Sequence, residues 1–188
     1  MGVSVDGFTA DRAGDFQWSV PTDEQFTVHL EEVRSLGVHL VGRRLYETML
    51  PWETDPSMRH DELQSAFADA WTALPKVVFS RTLTGVAGNA RLATGSLADE
   101  IAAARAATDK HLAIGGPGLA AQAVRLGLVD EFWVFRNPVI VGGGTPYLPP
   151  VAERIDLDLV ETRTFANRVV HERYRLATPH MAGTGAPA

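Results

Sequence analysis

The chain has 188 residues, 45% of them hydrophobic and 21% charged, enough for one compact domain with a full core. Its formal net charge of -6 argues against a nucleic acid or a membrane surface as partner, and the absence of cysteine excludes disulfides, thiolate nucleophiles and cysteine metal sites together. No stretch reaches the ~20 apolar residues of a membrane span and the start, MGVSVDGF, lacks the basic region of a signal peptide, so the expected location is the cytoplasm.

In chain order, Val3 to Val5 reads as a short apolar strand followed by Asp6-Gly7 and a polar loop through Trp18 and Pro21. Thr22 with Gln25 three residues later forms a capping box, and Phe26, Leu30 and Val33 fall on one face, so a helix is predicted over 23–35 with Gly37 as its stop. His39 to Val41 is the next strand, leading into Gly42-Arg43-Arg44 and a helical segment from Leu45 to Met49. Asp55 as cap and Pro56 in first position predict a helix with Leu63, Phe67, Trp71 and Leu74 inward. Val77 to Phe79 is a strand ending at Ser80-Arg81-Thr82, followed by a short strand near Ala90 to Ala93 and a helix capped by Ser96 and Asp99.

His111 to Ile114 is a strand that stops at Gly115-Gly116, after which Pro117 and Gly118 open a helix with Leu119, Ala123 and Val124 on its apolar face and Gly127 at its end. Glycines at this turn let the backbone pass close to a ligand, and the free N–H groups of the following helix favour an anion such as phosphate. The string fits G-x-G-x-x-A, yet the next acids, Asp130 and Glu131, come too early for a standard dinucleotide fold. Phe132 to Phe135 and Val139 to Val141 are two apolar runs separated by Asn137-Pro138. Residues 157–165 and 169–176 alternate across an Ala166-Asn167 turn as a hairpin.

Strands alternating with helices, then a terminal hairpin, predict a single α/β domain over residues 1–178 and a flexible tail over 179–188. Its architecture is three layers, α/β/α, around a mostly parallel sheet with an antiparallel hairpin added at one edge. Gly7, Gly42, Ser80 and Gly115 each follow a strand, so four loops are expected on the rim where open sheets bind ligands. The six histidines show no metal-binding spacing, and no serine sits in a G-x-S-x-G elbow, which sets aside a metal site and a serine hydrolase.

The series Trp18-x-x-Pro21-x-Asp23, Gly42-Arg43-x-x-Tyr46-Glu47, Lys76-Val77-Val78-Phe79-Ser80-Arg81 and Ile114-Gly115-Gly116 resembles dihydrofolate reductase over nearly the whole chain. Ser4, Asp6 and Gly7, the helix around 56–74, the LVDEF segment from Leu128 and the PVIVGGGTP run from Pro138 resemble more closely the reductase domain of the riboflavin biosynthesis deaminase/reductase (RibD C-terminal domain).

The resemblance implies a reductase using NADPH, with Gly42 and Arg43 at the pyrophosphate, Ser80, Arg81 and Thr82 at the adenosine 2′-phosphate, and Gly115, Gly116, Gly118 and Leu119 along the cofactor. Within the family a cis peptide joins the two glycines. Arginine suits both phosphate positions, because its planar fork matches phosphate oxygens. On the substrate side the resemblance gives Asp23 as the carboxylate facing a pterin or pyrimidine, with burial raising its pKa toward a proton-donating role. Trp18 and Trp52 stand in loops on the expected rim as covers for nicotinamide or substrate. Leu45 replaces the threonine usual in dihydrofolate reductases, and the T-V-x-x-D-D-P stretch of the riboflavin enzyme is absent after Gly42.

Three activities are compatible with these residues: hydride transfer to a C=N or C=O of a pteridine- or pyrimidine-like molecule, the 5-amino-6-(5-phosphoribosylamino)uracil reductase step of riboflavin biosynthesis, and NADP binding without turnover. A homodimer is expected from the open hairpin edge and from Phe132, Trp133 and Phe135.

Overall fold

The computed structural model describes residues 1–177, so the proposed tail at 179–188 lies outside the described residues. Four parallel strands form the centre: β3 (Leu36–Gly42), β4 (Lys76–Phe79), β5 (Ala90–Leu92) and β6 (His111–Gly115), in the order β5-β4-β3-β6. Alternation along β3 decides what each face meets. Val38 and Leu40 join Val77 against α5 (Leu97–Ala107) and α6 (Pro117–Arg125), through Leu97, Ile101, Ala104, Leu119 and Ala123. Val41 and Val78 turn the other way onto Tyr46 of α2 (Arg43–Met49), and His39 meets Trp71 of α4 (Glu62–Ala73) edge-on at 5.5 Å. On that side α4 packs with α1 (Asp23–Ser35) through Leu30, Val33, Phe67, Trp71 and Leu74, which completes the three layers.

A second ladder holds β1 (Gly2–Ser4), β7 (Glu131–Asn137), β10 (Val170–Leu176) and β9 (Leu157–Thr164) in that order. Only the β1 and β7 pair is parallel; β7, β10 and β9 run antiparallel, and the last two form the expected hairpin. The hydrogen-bonded ladder of the hairpin is thus separate from the central parallel ladder. A two-stranded ribbon, β2 (Phe8–Ala10) with β8 (Thr145–Pro146), completes the strands.

Local signals act where expected at three helix ends. Thr22 N–H donates to Gln25 Oε1 at 3.1 Å, Asp99 N–H donates to Ser96 Oγ at 3.2 Å, and Gly127, at φ +66°, returns its N–H to the Val124 carbonyl at 3.1 Å.

Elsewhere, tertiary packing changes the reading. Gly37 does not stop α1; it lies inside β3, where a Cβ would overlap the Thr108 side chain. Asp55-Pro56 caps only a single 3₁₀ turn, Pro56–Met58, and α4 starts six residues later with Asp61, whose carboxylate accepts the Gln64 N–H at 2.7 Å. Pro51 opens another short helix, α3 (Pro51–Thr54). Val139 to Val141 forms a loop, tied down by Val5 N–H to the Val139 carbonyl and by the Asp6 carboxylate.

Candidate functional site

Register brings three of the four predicted loops together. Gly42 lies opposite Phe79, and Val41 opposite Gly115, so the chains leaving β4, β3 and β6 emerge side by side as Ser80, Arg43 and Gly116. Gly7 belongs elsewhere: its turn hangs from β1, where its N–H meets the Ser4 carbonyl at 3.0 Å.

The glycine pair is shaped by packing as well as by any ligand. A Cβ on Gly115 would collide with Leu45 Cδ2 and come within 2.6 Å of His39 Nε2, so the side chains of α2 and β3 alone demand glycine there. Gly116 adopts φ +90° and ψ 124°, a conformation open to glycine, and a Cβ added there would stand 3.7 Å from the Gly42 α-carbon. The cis peptide expected between them is absent, because all peptide bonds of the described residues are trans. Leu119 is buried beneath this turn against the β3 face, whereas Gly118 is exposed with open space where a Cβ would be.

Arg43, exposed at the first position of α2, donates from Nε to Glu47 Oε1 at 2.7 Å and from Nη1 to Thr82 Oγ1 at 2.7 Å. Ser80 Oγ accepts the N–H groups of Thr82 at 3.2 Å and Leu83 at 3.0 Å, which folds the chain after β4 into a compact turn under that guanidinium. Arg81 is exposed beside it and has no ion-pair partner among the described residues. Arg43, Ser80 and Thr82 therefore form one hydrogen-bonded group, with Arg81 adjacent in the chain.

The substrate-side residues are placed differently from one another. Asp23 is exposed at the start of α1, so the burial expected of a pocket carboxylate is missing. Trp52, on α3, packs into the helix layer, 5.4 Å from Phe26 and 4.8 Å from Phe67 between ring centroids. Trp18 lies in a 3₁₀ turn, Gln17–Ser19, half-buried, with a buried Nε1–H that has no acceptor among the described residues. No group of three metal-ligating side chains is found among the described residues.

Two arginines not singled out from the sequence, Arg12 and Arg44, line a second concave surface. An open groove of about 510 Å³ runs between Asp11–Gly14, Arg44 of α2, and Gly144–Thr145. Outside that lining, the Asp6 carboxylate accepts the N–H groups of Gly142 at 2.8 Å and Val141 at 3.2 Å, which ties down the start of the glycine run; the Ser4 hydroxyl, with these two N–H groups, holds that carboxyl below its ordinary pKa. The only local signal for the groove was the doubled arginine after Gly42. The rest depends on the glycine run at 142–144 meeting a loop some 130 residues earlier.

A phosphate-compatible rim at the carboxyl ends of adjacent parallel strands, in a three-layer α/β domain, defines the class of protein. The chain belongs to the RibD C-terminal domain family, whose model matches residues 1–171. It is 30% identical over 179 residues to YyaP of Bacillus subtilis (strain 168), an uncharacterised protein, covering 93% of this chain and 91% of that one. Among solved structures it is similar to a putative riboflavin biosynthesis protein from Shewanella sp. PV-4, with a TM-score of 0.74, 22% identity, and coverage of 95% of this chain and 97% of that one. It is also similar to a diaminohydroxyphosphoribosylaminopyrimidine deaminase/5-amino-6-(5-phosphoribosylamino)uracil reductase from Thermotoga maritima, with a TM-score of 0.61, 18% identity, and coverage of 94% of this chain and 55% of that one. These likenesses establish the dihydrofolate reductase-like fold.

Proposed function

We propose that the protein is an NADPH-dependent reductase acting on a C=N or C=O of a flat heterocycle of pteridine or pyrimidine type. The observation that carries this reading is the register of β4, β3 and β6, which sets Ser80, Thr82 and Arg43 beside the Gly42 and Gly115-Gly116 backbones at one rim. When bound, the nicotinamide supplies the hydride; the protein binds and orients. Arg43, anchored by Glu47 and Thr82, is the cation for the diphosphate, and the exposed Arg81 provides positive charge on the Ser80 side, where an adenosine 2′-phosphate separates NADPH from NADH. The buried glycine pair lets a dinucleotide approach the main chain. The unpartnered Trp18 Nε1–H is a donor suited to a carbonyl or ring nitrogen of the substrate. With Asp23 exposed, the proton that follows the hydride comes from its carboxyl or from water.

Family membership favours, as a second reading, reduction of a phosphoribosylaminopyrimidine in riboflavin biosynthesis. Mass-spectrometric conversion of that substrate separates it from the first reading. Absence of hydride transfer to any heterocycle despite tight NADPH binding leaves a binding module. On the partner side we infer a second copy of this chain. Phe132 and Phe135 are buried within the subunit, whereas at the open β9 edge Leu157, Leu159 and Val160 are exposed and available to a second copy.

The test of the cofactor assignment is thermal. NADPH is expected to raise the melting temperature more than NADH does, and Arg43→Ala to weaken NADPH binding by roughly 1.5 to 3 kcal/mol, the range for a charge-assisted hydrogen bond. Equal shifts with the two cofactors remove the 2′-phosphate assignment.

A further inference from the structure

The arginines of this chain are mostly paired. Arg43, Arg59, Arg91, Arg105, Arg136, Arg154, Arg163, Arg173 and Arg175 each meet a carboxylate within 4.0 Å. Arg12 and Arg44 have no such partner among the described residues, as is also true of Arg34, Arg81, Arg125 and Arg168, but these two line the same groove of about 510 Å³. In a protein of net charge -6, two uncompensated guanidinium groups on one concave surface mark a place for an anion.

The groove is built, in that its shape is held by bonds that do not involve a ligand. Arg12 Nη2 donates to the Gly142 carbonyl at 2.7 Å, which fixes one edge of the fork and leaves its other donors to the groove. Gly142 is itself held by Asp6 at 2.8 Å, and the next glycine has no room for a side chain, since a Cβ on Gly143 would stand 2.7 Å from Arg12 Nε. Asp11 is the one acid of the lining, and its Oδ1 accepts the N–H groups of Ala13 at 2.8 Å and Asp15 at 2.9 Å. Arg44 closes the other side from α2, one residue after Arg43, whose own fork is committed to Glu47 and Thr82.

We propose that Arg12 and Arg44 form a phosphate-binding subsite, across the α2 end from the Ser80–Thr82 turn. Planar guanidinium forks select phosphate oxygens over simple halides. Two sources share this chemistry: the diphosphate of the cofactor and a phosphate carried by the substrate. The proposal rests on the reductase reading only for the choice between these sources.

The probe is inorganic pyrophosphate, titrated calorimetrically and in thermal melts against sodium chloride of equal ionic strength. The wild-type protein is expected to bind pyrophosphate and to melt higher in it; Arg12→Gln and Arg44→Gln are each expected to weaken binding roughly tenfold, and the double variant to abolish it. Arg125→Gln, a change of another arginine outside the groove, serves as the control and is expected to leave binding unchanged; circular dichroism confirms that each variant is folded. Competition between pyrophosphate and NADPH, with weaker NADPH binding in the double variant, assigns the subsite to the cofactor. Simultaneous binding of both, with NADPH affinity unchanged, assigns it to the substrate. Absence of a pyrophosphate effect beyond that of chloride, or an unaltered effect in the folded double variant, overturns the proposal. NADPH binding by the wild type is measured in the same series, so loss of the subsite and loss of the reductase reading give different results.

Discussion

The central parallel ladder and the antiparallel ladder treat charge in opposite ways. In the parallel half the strands are covered on both faces, and a single ion pair is sealed inside: Lys76 Nζ meets Glu53 Oε1 at 2.5 Å, with the side chains 1% and 4% exposed. The same ammonium donates to the Trp71 carbonyl and lies 4.8 Å from the centre of its ring. In the antiparallel half, charges run as a lattice across the open sheet. Arg173 bridges Glu131 and Glu161, Arg175 returns to Glu131, and Arg136 meets Glu172, all at 2.7 to 3.1 Å and partly in solvent. A fully sealed pair lies in the half that carries the rim loops, and a partly solvated network spans the other.

The largest effect is expected where that rule is broken directly. Lys76→Met leaves the Glu53 carboxylate buried without its cation and is expected to cost about 3–5 kcal/mol in urea unfolding. Glu53 also accepts the Asn89 N–H at 2.8 Å, so it fastens the loop before β5 as well as the lysine. The double variant Lys76→Met/Glu53→Gln is expected to lose clearly less than the two single changes added together. A loss below about 1 kcal/mol for Lys76→Met, the scale of a solvated pair, breaks the contrast between the halves.

A smaller effect sharpens the comparison through pH. Each half buries one histidine: burial, aided by the nearby Lys76, pushes His39 down to about 4, and burial lowers His171 as well. A histidine whose folded pKa lies below its unfolded value binds fewer protons when folded. Stability therefore falls as pH drops from about 6.5 toward 4. His39→Gln is expected to flatten that slope more than His171→Gln, because His39 stands beside a buried cation while His171 faces Glu32. Carboxylates take over at lower pH. Arg91 and the Thr94 and Gly95 N–H groups hold Glu100 at about 2, so its contribution is intact above about 4.5 and is lost as pH falls toward 2. Urea midpoints measured from pH 7 to pH 3 test both signs, and equal slopes for wild type and His39→Gln sink the first.

What the sequence made legible was local. The strand ends at Gly42, Ser80 and Gly115, the two capping boxes and the Ala166-Asn167 hairpin all depend on residues within a few positions of one another. What it hid was set at long range. Asp55 with Pro56 reads as the start of the long helix, whereas α4 begins after Asp61, with Phe67 and Trp71 packed in the cluster it shares with α1. Trp52 reads as a rim residue until Phe26 and Phe67 enclose it. The Arg12 side of the groove depends on Asp6 capturing the glycine run at 142–144, a contact invisible to any short window. Separation of the two ladders has the same origin, since β1 pairs with β7 across some 130 residues of chain.

The smallest effect on stability is expected at the edge of the antiparallel half, where the readout is association. All eight residues of β9 are exposed, Leu159 at 55%, and one face continues into Leu148, Val151 and Ile155 around a small apolar groove above Phe132. An open edge offers unpaired backbone groups, and under a two-fold axis a second copy presents the same edge antiparallel to it. Leu159→Glu is expected to change monomer stability by less than about 0.5 kcal/mol, as surface substitutions do. Yet it places a charge in the middle of the β9 edge and is expected to convert the proposed dimer to monomer. Sedimentation equilibrium at micromolar concentration decides the matter: a wild-type protein that is already monomeric, or a variant that remains dimeric, removes β9 as the contact and leaves its apolar face without an occupant.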